Sequence, residues 1–497
     1  MKQSPNSFRA HCIFAAVYLI GVAASPHAQG QQPSYRNATS HAASDTQDEQ
    51  ANFPPELMQQ LQAIKTAALN DDYAYQQLAH LTENIGPRSS GSAGANAAVE
   101  YVAAQMRDLG LDVHLEEVRV RHWVRGAESA ELVDGPCLGP GTQQKIVLTA
   151  LGGSTSTGAN GIIADLIVVN NFVELNALGH EKVVGKIVLF NEQFDKQKAG
   201  SGFAAAAYRE TVGYREQGPK AAADLGAVGA LVRSLGSADY RLPHTGDSDP
   251  AGIPAGAVSA EDATLMAHLT AEGSVRIHLT LTPQKLSNET SYNVIGDLKG
   301  SEHPEQIVIA SGHLDSWDLG TGALDDGAGV VVAMETAQLL RQLHLHPKRT
   351  LRVIAWMDEE TDGAGSSQYR KENHDDFPNC IAAIESDAGA SHPLGFVTKM
   401  SKAAADTLKP VQTVLNSIGA TILQETPHPP GITDISPMSE EGVPILGILQ
   451  DARSYFNYHH TAADTLDKVI PSELRENAAV MAVMVYGLAE MKNPLPR

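Results

Sequence analysis

The chain has 497 residues, 42% hydrophobic and 19% charged, with a formal net charge of -22. That length exceeds one ordinary core and predicts two or three domains of the globular class. The acidity excludes a nucleic-acid partner, which needs a basic face, and disfavours anionic membranes; its role is to keep an exported protein soluble.

Lys2 and Arg9 precede an apolar run over 13–24, followed by small residues around Ser25 and Ala28. This is the order of a secretory signal peptide, predicted over 1–28, and the run is too short to span a bilayer. The expected location is secreted or periplasmic, with no membrane attachment after signal removal. Cys12 lies inside the signal. Cys137 and Cys380 lack the spacing of a Cys zinc site, and their pairing would require Cα atoms within about 7 Å.

Residues 29–54 are rich in Gln, Ser, Asn and Ala, with little to bury, and the domain plan assigns 29–70 to a linker or pro-segment. Helical periodicity covers 55–69 and 73–85, a Gly-Pro turn comes next over 86–92, and a strong helix is predicted over 93–109, ended by Gly110. The first part of a catalytic domain is placed at 71–125. Over 126–284 short apolar runs alternate with Gly-rich turns, which predicts a separate, mostly β domain inserted into the first. Over 285–497 strands at 306–310, 351–357, 381–384 and 444–449 alternate with helices at 327–343 and 472–491. The fold class is therefore α/β, a mixed sheet flanked by helices, and ligands should bind beyond the carboxyl ends of its strands.

The residues just beyond each of those strands carry the chemistry. The runs are SGHLD (311–315), DEE (358–360), ESD (385–387) and YHHT (458–461), and LDDG (324–327) opens the helix after the first. Imidazoles and carboxylates thus converge on one sheet edge. The set suits zinc, with enough donors for two open sites sharing a carboxylate and too few for two closed ones. His313 and Asp315, two apart in an extended segment, point the same way, so Asp315 is expected to accept from the second ring nitrogen of His313. Of the adjacent pair Glu359 and Glu360, one can bind metal while the other acts as general base.

The runs GHLDSWDLGTGALDDGAG (312–329), DEE, ESDAG (385–389) and HHTAADT (459–465) resemble the co-catalytic zinc exopeptidases, the family of the bacterial leucyl aminopeptidases and plasma glutamate carboxypeptidase. The resemblance extends over nearly everything after residue 70. It implies two Zn2+ per chain, one held by His313 and Asp387, the other by Glu360 and His460, with Asp325 bridging and Glu359 as general base. It also implies a phosphorylase/hydrolase-like catalytic fold, a protease-associated insert, short peptide substrates and homodimerisation. His459 stands where some relatives carry a Tyr that stabilises the oxyanion, a role an imidazole N–H can fill.

Several alternatives are weighed against this reading. The Gly-rich run over 320–329 lacks the Lys-Ser/Thr of a phosphate loop. No Ser occupies a G-x-S-x-G elbow. His344, His346, His392 and His428 read as structural or exposed, and Asp434 and Ser436 as polar candidates for the substrate pocket. Glutaminyl cyclase-like acyl transfer would show a degraded first zinc site, and a non-catalytic binding protein would lack ligands or base. The neighbouring two-zinc family with a dimerisation lid carries its insert after the metal cluster rather than before it. Peptidase polarity, carboxy- or amino-, stays open.

Overall fold

A computed structural model describes residues 52–136, 138–427 and 429–497. The signal peptide, residues 29–51, Cys137 and His428 lie outside the described residues. Among the described residues no helix is long and apolar enough to cross a membrane.

The first sheet has eight strands, labelled in chain order: β1 (Asp112–Val120), β2 (Glu289–Leu298), β3 (His303–His313), β4 (Arg349–Trp356), β5 (Cys380–Glu385), β6 (Pro393–Lys399), β7 (Ile422–Glu425) and β8 (Ile445–Gln450). Their spatial order is β1-β2-β4-β3-β5-β8-β6-β7. The four central strands β4, β3, β5 and β8 run parallel, while β2 and β6 pair antiparallel to them on either side. β4 and β5 are buried at every position, as expected of parallel strands covered on both faces. Helix α1 (Pro55–Ala68) buries Leu57, Leu61 and Ile64 against the closing helix α2 (Pro471–Glu490). That spacing forms one helical stripe. From residue 55 onward the segment assigned to a linker is therefore part of the core.

The chain leaves this layer through a two-stranded ribbon, Trp123–Val124 paired with Gln284–Lys285. Between them lies a second eight-stranded sheet with its own buried clusters. Four of its strands, Ile162–Val169, Ile187–Phe190, Gly229–Arg233 and Ala255–Val258, run parallel. Parallel neighbours need crossovers; helices Phe172–Val183, Ala204–Glu216 and Gly218–Asp224 supply the first two, the third over 234–254 is irregular, and Ala260–Glu272 follows the last of the four strands. The unit is mixed α/β rather than mostly β. Cys380 is a buried free thiol whose pKa burial pushes up to about 12.

Candidate metal centre

The parallel strands deliver their side chains to one edge. His313 is the last residue of β3, Glu359 and Glu360 come after β4, Asp387 after β5, and His459 and His460 after β8. Asp325 arrives on the loop before the helix Ala328–Gln342, at a cis Asp325–Asp326 peptide. His313 Nε2 lies 3.3 Å from Asp325 Oδ1 and 3.6 Å from Asp387 Oδ1. His460 Nε2 lies 3.2 Å from Asp325 Oδ2 and 2.9 Å from Glu360 Oε2. Among the described residues three groups bring their donor atoms close enough to hold an ion: His313–Asp325–Asp387 and Asp325–Glu360–His460, which share Asp325, and His244–His459–His460.

The electrostatics call for cations. Burial, then the neighbouring acids Asp387 and Asp325, raise the pKa values of Glu359 and Glu360. Burial opposes charge on His313 and His460, yet Asp325 with Asp387 and Glu360 with Asp325 hold both well above the ordinary histidine value. Protons on these rings stand in for the positive charge that the carboxylates demand. Asp325 Oδ2 and Glu360 Oε1 are buried without a hydrogen bond among the described residues, as metal-ligand oxygens would be in the free protein. Donor type and placement thus fit zinc.

Supporting contacts explain why the loops sit as they do. Asp326 turns away from the cluster, its carboxylate accepting the N–H groups of His313 and Gly329. Asp464 accepts from the N–H groups of Ala323, Leu324 and Asp325. The buried Arg88 guanidinium donates to the carbonyls of Leu314, Thr321 and Gly322. Asp315 differs from expectation. Its main-chain carbonyl, 3.1 Å away, accepts from His313 Nδ1, while its carboxylate accepts from Ser90 and from the N–H groups of Asp358, Glu359 and Glu360. Three converging backbone donors outweigh one imidazole N–H, and the chain turns as soon as β3 ends.

Beside the centre lies a cavity of about 850 Å³, lined by Glu359, Asp387 and His459 on one side and by Tyr208 and Asp247 of the inserted unit on the other. His459 stacks on His460 at 3.7 Å, and its Nε2 lies 3.4 Å from Asp325 Oδ2. Burial and the adjacent His460 favour its neutral form. Gly431 and Thr433 line the cavity, whereas Asp434 is buried beside Glu385, and burial raises its pKa. Sequence reasoning passed over His244, whose ring lies 5.1 Å from that of His459 and 5.3 Å from that of His460. It also passed over Arg215 and Tyr455. His244 and Arg215 belong to the inserted unit and only the fold brings them here, whereas Tyr455 lies four residues before His459 in the loop after β8.

Comparison with known proteins agrees with this geometry. Residues 293–485 match the model of peptidase family M28. Carboxypeptidase Q of Homo sapiens is 37% identical over 431 residues, covering 85% of this chain and 87% of the relative. The chain belongs to peptidase family M28. It is a metallo-exopeptidase. A peptidase M28 precursor from Shewanella amazonensis superposes with a TM-score of 0.82 at 33% identity, covering 91% of this chain and 99% of that one. A zinc aminopeptidase from Bacillus subtilis shares the fold at 21% identity, with a TM-score of 0.61 over 83% of this chain and 94% of its own.

Proposed function

We propose that the chain is an exported exopeptidase that binds two zinc ions and hydrolyses dipeptides or short peptides with carboxypeptidase polarity. The observation that carries the reading is the single carboxylate, Asp325, common to two ligand groups. His313 and Asp387 would hold one ion, Glu360 and His460 the other. When bound, the ions lower the pKa of a water and polarise the scissile carbonyl.

The chain's own residues do the rest. Glu359 borders the cavity, where its carboxylate would take a proton from the attacking water and pass it to the leaving amine. Asp315 anchors the backbone on which Glu359 and Glu360 sit. His459, kept neutral, directs an N–H toward the developing oxyanion. The inserted unit, protease-associated in type, walls the cavity and limits substrate length. Carboxypeptidase polarity is supported by the greater likeness to carboxypeptidase Q than to aminopeptidase YwaD of Bacillus subtilis, which is 24% identical over 424 residues.

The test is zinc content with dipeptidase activity in the wild type and Glu359→Ala. Two zincs in both, with activity lost only in the variant, is expected; full activity in the variant would refute the assignment. N-acetylated and C-amidated dipeptides report polarity: a carboxypeptidase cleaves the first and rejects the second.

A further inference from the structure

We propose that the inserted unit is a working part of the metal centre, with Arg215 and the 244–247 loop positioning His460 for metal binding. The proposal rests on His460 being a ligand. His460 has a φ of +57°, a left-handed conformation that a residue with a side chain keeps only when its surroundings enforce it. Those surroundings come from the inserted unit. The Thr245 N–H donates to the His460 carbonyl at 2.9 Å, and the Thr245 carbonyl lies 3.3 Å from His460 Nδ1, where it accepts the ring proton. With Nδ1 so engaged, Nε2 is the nitrogen left facing Asp325 and Glu360, where an ion would replace its proton. A second hydrogen bond of this kind is what fixes the tautomer and orientation of a metal-binding histidine.

Arg215 in turn holds the loop. Its Nε donates to the Asp247 carbonyl at 3.2 Å and its Nη1 to the Tyr208 hydroxyl at 2.5 Å; Nη1 also lies 3.3 Å from His460 Nδ1, a packing contact and not a hydrogen bond when Nδ1 carries the proton given to Thr245. The guanidinium packs directly on Gly246, where a Cβ would come within 2.4 Å of Nη1 and 2.5 Å of Cζ. Gly246, with a φ of +137°, is therefore the space in which the arginine sits. Arg215 is a positioning residue: it acts on the ion through the loop and His460.

The experiment measures zinc retention in buffered free zinc for the wild type, Arg215→Met, Gly246→Ala and His460→Ala. Arg215→Met and Gly246→Ala should each lose one zinc at a free concentration where the wild type keeps two, with affinity at that site down about 10–100-fold. The other site should be unchanged, and added zinc should restore dipeptidase activity. Retention of both zincs at wild-type affinity, equal weakening of the two sites, or activity that excess zinc does not restore would overturn the proposal. If Arg215→Met does not fold, Gly246→Ala and Tyr208→Phe carry the test by the same criteria. Should His460→Ala also keep two zincs, the ligand assignment itself fails. Should it lose one while Arg215→Met and Gly246→Ala lose none, only the positioning role falls.

Discussion

Asp464 offers a sharp test of how the bridging carboxylate is held. It is 4% exposed, and its two oxygens accept the N–H groups of Ala323, Leu324 and Asp325 at 3.0, 2.7 and 3.2 Å. Asp464→Ala leaves all three donors without this partner. An orphaned buried N–H costs about 1–3 kcal/mol, and partial refilling by water brings the expected loss of stability to about 4 kcal/mol. Asp464→Asn, oriented to keep the bonds to Ala323 and Leu324, turns its NH2 toward the Asp325 N–H and costs about 2 kcal/mol. In the metal-free chain, burial and then Asp325 raise the Asp464 pKa from 3.8 to about 7. A carboxylate raised in the folded state contributes stability that is fully present below its unfolded value and is lost as pH rises through the folded one. The margin of wild type over Asp464→Asn should therefore shrink between pH 4 and pH 7 in the metal-free protein. Because Asp325 serves both ligand groups, zinc affinity should fall at both sites together, unlike in the Arg215 variants. Denaturant titration of the metal-free chain and zinc competition are the assays. An Asp464→Ala variant of the metal-free chain within about 0.5 kcal/mol of wild type at pH 4, where the carboxyl is neutral in the folded state, with zinc held normally by the loaded variant, would refute the reasoning.

The same geometry sets three other expectations. Glu359→Gln should lower kcat by about 10²–10⁴ with zinc content unchanged, read by steady-state kinetics beside metal analysis; a parallel loss of zinc would make Glu359 a ligand instead. The Glu335 carboxyl is raised from 4.5 to about 8 by burial and by Asp71. Its contribution to stability is lost as pH rises through 8, so Glu335→Gln should gain about 3 kcal/mol on wild type between pH 6 and 9, measured by chemical denaturation. A Cβ at Gly329 would lie 1.9 Å from the Ser386 carbonyl oxygen. Gly329→Ala should therefore lower stability by about 3 kcal/mol or more, and an unchanged Tm would show that the neighbouring backbone yields freely.

The strand-end rule made most of the centre readable, because β3, β4 and β5 end at or within a few residues of candidate ligands, while β8 reaches His460 through a longer loop. The structure gathers His313, Asp325 and Asp387 into one group of candidate metal donors and Asp325, Glu360 and His460 into a second. What stayed hidden is physical in origin. Thr245 acts through its backbone, which leaves no mark in residue type. His244 and Arg215 reach the site only through docking of the inserted unit. Asp315 was assigned by local spacing, and the winning partners were N–H groups on a different strand's loop. The helices of the insert escaped notice because a segment such as AAAAYRETVGYRE shows no clear apolar stripe.

The ribbon that closes the inserted unit also orders the molecule in time. By Lys285 the unit that supplies Thr245 and Arg215 has been synthesised in full, while every proposed ligand still lies downstream, from His313 to His460. A nascent chain therefore builds the cradle for its last ligand before it makes the first. Both proposed ion sites can be complete only when translation is nearly done, and a product ending before His460 carries the scaffold and the His313–Asp325–Asp387 group without the histidine of the second group.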